Sequence, residues 1–171
     1  MLTKDQQKWV DHLSDVDTIN ILPFNTNVGK IFEEIKEQIK LILGKETEVV
    51  HRGASGLGIS GQSEIDVYIP VRAEKIEPMA SKMEVVFGKP KSIYPEERTK
   101  FIKFVEGTKL EIILVNKACK SWIDGEIFNT YLKKNISVLE EYRKLKEDGN
   151  GLSVREYYRR KIEFINDILS R

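Results

Sequence analysis

The chain contains one cysteine, Cys119, so no disulfide can form within it. That residue reads as a small buried hydrophobe, and an intracellular, cytoplasmic setting is the expectation. Charge of one sign is also missing. The 28 Lys and Arg residues stand against 27 Asp and Glu, for a net charge of +1. No global field is left to attract a nucleic-acid backbone or an anionic membrane surface. Nowhere does an apolar run reach the roughly eighteen residues needed to cross a bilayer. The opening MLTKDQQKW has no apolar stretch behind its charges, which argues against a secretory signal. Internal repeats and low-complexity tracts are lacking as well.

What remains is an ordinary globular composition: 40% apolar and 32% charged in 171 residues, enough for one domain with a sizeable core. Val28, Ile31, Phe32, Ile35, Ile39 and Ile42 recur at helical spacing and predict a helix over 28–43, closed by Gly44. A strand is expected over 47–52 and another over 64–71, ending at Pro70. A short helix over 78–87 starts at Pro78 and stops before Gly88. Strands over 99–105 and 109–116 flank Glu106-Gly107-Thr108 as a hairpin. Three helices follow, near 126–134, 137–147 and 153–169, the last opened by Ser153 with Glu156. The order predicts an α+β core over about 26–118 and a C-terminal helical extension over about 119–171, within one domain.

Between the first two strands, Gly53, Gly56, Gly58 and Gly61 alternate with Ala54, Ser55, Ser60 and Ser63. The Gly-x-Gly-x-x-Gly spacing over 56–61 is not a dinucleotide-binding turn, because a strand follows it where that motif needs a helix. A kinase loop would need a strand lysine, a catalytic loop and a larger chain, and a Walker A loop would need Gly-Lys-Ser/Thr. None occurs. On the following strand Glu64, Asp66 and Tyr68 share a face, since side chains alternate along a strand. Paired carboxylates supply hard oxygen ligands suited to Mg²⁺ or Mn²⁺, and a small-residue backbone beside them can bring N–H groups against phosphate.

Gly53-Ala54, nine residues, then Glu64-Ile65-Asp66-Val67 resembles the nucleotidyltransferase signature of the DNA polymerase beta superfamily. Within it the chain is similar to the GrpB family. His51, Gly53, Ser55 and Asp66 match its loop and strand. Tyr131-Leu132-Lys133, Asn135, Val138, Glu141-Tyr142, Leu145-Lys146, Tyr157, Lys161 and Phe164-Ile165 fall at the spacing of its tail. The resemblance covers roughly residues 47 to 169. It implies a mixed β-sheet core flanked by helices, with a third acid on a later strand, for which Glu111 is the candidate. It further implies that Glu64, Asp66 and Glu111 hold Mg²⁺ or Mn²⁺ and perform catalysis. Gly53, Ala54, Ser55, Ser63, Lys146 and Lys161 would meet a nucleoside triphosphate. The acceptor of the nucleotidyl group is left open. Ala54 stands where the family has serine, and Asn129 where it has arginine.

Plainer readings stand beside these. Alternating acids also mark the wet face of a half-buried sheet. Glu111 shares its face with Ile113 and Val115 and could be an edge residue. His51 reads as an orienting histidine and His12 as a surface one. Tyr142, Lys146, Tyr157 and Lys161 could simply pack the tail, with the lysines snorkelling. Trp9 and Trp122 read as core anchors. A non-catalytic nucleotide-binding or interaction domain that keeps the fold is the alternative to a transferase.

Overall fold

A computed structural model describes residues 1–171. The chain divides into a sheet unit, residues 24–58 and 63–123, and a helical unit, residues 1–23, 59–62 and 124–171. No helix is long and apolar enough to cross a membrane.

The sheet unit is built on five strands: β1 (Val50–Arg52), β2 (Glu64–Val71), β3 (Ser92–Tyr94), β4 (Arg98–Val105) and β5 (Thr108–Asn116). They lie in the order β1-β2-β5-β4-β3, with β2 and β5 parallel and every other pair antiparallel. The architecture is α+β, as the element order predicts, and the sheet is mixed, as the resemblance implies. Parallel pairing of β2 and β5 needs a crossover, and helix α4 (Ala73–Phe87) with the β3–β4 pair supplies it.

Alternation along the central strands decides the two faces. Ile65, Val67 and Ile69 of β2 and Leu110, Ile112 and Leu114 of β5 are fully buried on one face. Helix α2 (Val28–Leu43) lays Val28, Ile31, Phe32, Ile35 and Ile39 into the same cluster, and α4 adds Ile76, Met83 and Phe87. The opposite face takes the intervening residues. It is apolar at the C-terminal ends of the strands, where Ile113, Val115 and Trp122 cluster with Tyr68 and Cys119, and charged at their starts. Trp122 is thus a core anchor.

Several boundaries differ from expectation for physical reasons. Helix α4 begins five residues before Pro78, which sits inside it. Burial of Ile76 holds the added turn against the core and outweighs the one hydrogen bond that proline cannot donate. Pro70 does not end β2, which continues to Val71. The edge strand β1 pairs only with Asp66, Val67 and Tyr68, so Pro70 lies beyond its reach. The hairpin between β4 and β5 turns on two residues, with Glu106 at φ 50° and Gly107 at φ 79°. Positive φ at both positions is the type I′ geometry that matches strand twist. Residues 53–56, expected as loop, form a one-turn helix, α3 (Gly53–Gly56). The short edge strand β3 has no counterpart in the sequence reading.

In the helical unit, α6 (Ile136–Asp148) and α7 (Val154–Leu169) follow α5 (Lys120–Lys134), whose last residues, from Asp124 on, belong to this unit. Ser153 caps α7 by accepting from the Glu156 amide at 3.2 Å. A further helix, α1 (Lys4–Asp11), opens the chain and packs on α7. Its signal was the Thr3-x-x-Gln6 capping box, in which each side chain bonds the other residue's backbone N–H. Trp9 is 49% exposed and stacks edge-on against Tyr158, so it is not the core anchor its size suggests. Tyr142 and Tyr157 are buried, as packing residues of the tail should be.

Candidate functional site

Strand β1 leads directly into α3, and β2 returns antiparallel to β1, so Gly53 faces the start of β2. Arg52 is the register partner of Asp66. Gly53 has φ +70°, and a Cβ placed on it would lie 1.9 Å from Asp66 Oδ2. Glycine is required twice over: for the left-handed backbone and for room for the carboxylate. Asp66 is therefore seated against the first residue of the small-residue turn.

The turn is locked from within. The Ser55 hydroxyl donates to the Glu64 carbonyl at 2.8 Å, and His51 Nε2 lies 3.0 Å from Ser55 Oγ. With the hydroxyl proton committed to Glu64, Nε2 must be the donor, which fixes the tautomer. The His51 ring stacks on Phe32 at 4.5 Å and 15°. His51 is an orienting residue, and Ser55 pins α3 to β2. A Cβ on Gly56 would meet the His51 carbonyl oxygen at 2.7 Å, so this backbone is also closely packed. Ala54 lies inside the turn, half-buried, and Ser63 is exposed at φ 59° just before β2.

Register between β2 and β5 then brings the third acid in. Asp66 is the Cα partner of Glu111, and Glu64 the partner of Lys109. Glu64, Asp66 and Glu111 consequently stand on one face of adjacent parallel strands. Between them stands a residue that the sequence reading passed over. Lys109 Nζ donates to Glu64 Oε1 at 2.7 Å and to Glu111 Oε1 at 2.9 Å. Lys100 of β4 donates to the other oxygen of Glu111 at 3.1 Å. Alternation was the available signal, because Lys109 and Glu111 are two apart on one strand, but only the register showed where its ammonium rests.

The charges answer to this arrangement. Burial by itself would raise the Glu111 carboxyl, yet hydrogen bonds from Lys109 and Lys100 outweigh it and hold the group below the ordinary carboxylate range. Burial would likewise lower the Lys109 ammonium, and its bonds to Glu64 and Glu111 reverse this and hold it above the ordinary lysine range. No group of three or more His, Cys, Asp or Glu side chains is placed to hold a metal ion. The acids have the right oxygen chemistry for Mg²⁺, but in this arrangement they do not fit one, because ammonium groups occupy both oxygens of Glu111 and one of Glu64.

The two lysines read as phosphate ligands belong to the helical unit. Lys146 on α6 is buried, with Nζ 3.1 Å from the Tyr157 hydroxyl and 5.3 Å from the Tyr142 ring centre. Lys161 on α7 lies over the Tyr158 ring at 5.2 Å.

The family model described as GrpB protein matches residues 18–171. The chain belongs to the GrpB family. The match takes in α2 and the segment before it, beyond the 47–169 that motif spacing delimits. Among solved structures, this GrpB chain is similar to the conserved protein GrpB from Enterococcus faecalis, with a TM-score of 0.67 and 20% identity over 88% of this chain and 94% of that one. That likeness shows the shared fold. A looser match is to Cid1, described as having RNA terminal uridylyl transferase activity. Its TM-score is 0.46 at 13% identity, covering 84% of this chain and 47% of that one, too loose to carry an argument. No curated protein matches the chain.

Proposed function

We propose that this GrpB protein binds a nucleoside triphosphate on the charged face of β2 and β5 and transfers its nucleotidyl group to an acceptor. The observation that carries the reading is the in-register pairing of Asp66 with Glu111 on adjacent parallel strands, with Asp66 seated against Gly53. An acid triad beside a small-residue turn is what the nucleotidyltransferase resemblance implies. In this reading the acceptor oxygen attacks the α-phosphorus, the bond to the bridging oxygen breaks, and pyrophosphate leaves. The acceptor's proton passes to the acid face of β2 and β5, where Glu111 is the carboxylate assigned to take it, although two ammonium groups hold it low and make it a weak base. Catalysis is then mainly positioning and electrostatics.

The phosphates lie along the backbone of Gly53, Ala54 and Ser55, with Ser63 at the entry to β2. For Lys146 and Lys161, on the helical unit, a part in nucleotide binding is a proposal of its own, tested by Lys161→Met, the more accessible of the two. Mg²⁺ or Mn²⁺ is what the resemblance implies. Glu64, Asp66 and Glu111 could take it only in exchange for Lys109, and no step is assigned to it. The free Cys119 is in keeping with a reducing, cytoplasmic setting, part of the same proposal.

A second reading, nucleotide binding without transfer, is favoured by one observation: Glu64 and Glu111 are engaged by lysines rather than open. Calorimetry with ATP, GTP, CTP and UTP, with and without Mg²⁺, combined with a pyrophosphate-release assay, separates the two. Saturable binding that Asp66→Asn removes, with pyrophosphate released on adding an acceptor, supports transfer. Binding without release across protein, RNA and small-molecule acceptors supports the binding domain. No binding of any triphosphate sinks both.

A further inference from the structure

We infer that Lys109 is a built-in cation, replacing a divalent ion between Glu64 and Glu111. The ammonium bridges carboxylates from two adjacent strands at 2.7 and 2.9 Å. Its position is set by the sheet rather than by a flexible reach. Lys109 is the register partner of Glu64 and lies two residues before Glu111 on the same strand, so all three side chains leave the sheet on one face. Lys100 completes the arrangement from the next strand, taking the Glu111 oxygen that Lys109 leaves. The side chains of Glu111 and Glu64 are 17% and 30% exposed, so these pairs are partly shielded from solvent. A divalent ion seeking the same oxygens must expel an ammonium group whose covalent attachment gives it a high local concentration. The cost of that exchange lowers the ion's apparent affinity by linkage.

The consequence is an acid face neutralised in part without a metal, two ammonium groups standing against three carboxylates, which lessens its repulsion of an anionic ligand such as a phosphate chain. Only that choice of ligand rests on the nucleotide reading. The cation role is tested without any nucleotide, so failure of the one is distinguishable from failure of the other.

The experiment titrates Mn²⁺ alone into the full chain, read by electron paramagnetic resonance of the free ion and by calorimetry. Wild type is compared with Lys109→Met, Lys109→Gln and Lys109→Met/Glu111→Gln, with circular dichroism and melting confirming each fold. The expected result is weak or absent saturable binding in wild type and affinity tighter by at least about tenfold in both single variants, the exchange cost having been removed. The double variant should lose that gain. Saturable binding in wild type as tight as in the single variants overturns the inference, and so does the lack of binding in variants that fold. Should neither single variant fold, wild type decides: saturable Mn²⁺ binding that Glu111→Gln removes overturns the inference, and its absence upholds it.

Discussion

Gly53 and Gly58 both have positive φ, at +70° and +71°, but only Gly53 has a carboxylate in its way. Replacing either by alanine imposes the left-handed penalty of about 1–2 kcal/mol. Gly53→Ala must also displace Asp66, and its total should reach about 2–4 kcal/mol. Urea unfolding of both variants checks this, and equal losses would mean that the Asp66 carboxylate does not crowd Gly53. A cycle with Asp66→Ala isolates the crowding, because the extra cost should vanish once the carboxylate is gone. In the helical unit, Tyr157→Phe removes the hydroxyl that the buried Lys146 ammonium donates to. A loss of about 1–3 kcal/mol is expected, measured by the same unfolding. Neither site was legible as such in the sequence. A glycine in a loop-like stretch states only that a side chain is unwelcome, and the neighbour that makes it so is thirteen residues away on β2.

The β4–β5 hairpin sets the register between those two strands, and its turn carries a non-glycine residue, Glu106, at φ 50°. Asparagine tolerates that conformation better, so Glu106→Asn should stabilise the protein by about 0.5–1 kcal/mol, read as a raised urea midpoint with unchanged slope. Gly107→Ala should lower it by about 1–2 kcal/mol, because φ 79° is left to an L side chain. Elements of this kind were readable. The Glu-Gly dipeptide between alternating runs marks the hairpin, the apolar spacing of residues 28–43 marks α2, and Ser153 marks the start of α7. Helix α4 was read short because a local rule, proline in the first turn, gave way to burial of Ile76.

At the scale of the whole molecule, the charged face ties stability to pH. Glu111 has a folded pKa below its unfolded value, so over the interval between them the unfolded chain binds more protons. Its contribution is present above the unfolded value, about pH 4.3, and is lost as pH falls through the folded one. Lys109 is shifted the other way, and its contribution is present below its unfolded value, about pH 10.4, and lost as pH rises through the folded one. The stability difference between wild type and Glu111→Gln should therefore hold from pH 6 to 8 and shrink towards pH 3. Chemical denaturation across that range measures it. A difference that stays constant would show that Glu111 gains nothing from its lysines.

Composition, apolar period and turn chemistry together determined the α+β class, the alternation of strands and helices, and the small-residue turn ahead of an acidic strand. These are local properties, written in residues a few positions apart. The motif spacing also pointed to the GrpB family, to which the chain belongs. Only tertiary structure decided that β2 and β5 are neighbours, that they run parallel, and that Asp66 stands opposite Glu111. It alone placed Lys109 between Glu64 and Glu111. Strand register is set by the whole sheet's burial, and a shift of one residue would turn every charged side chain on β5 to the other face. The sequence carries the acids and the lysine, and the packing of Leu110, Ile112 and Leu114 into the core is what turns Lys109 and Glu111 towards Glu64.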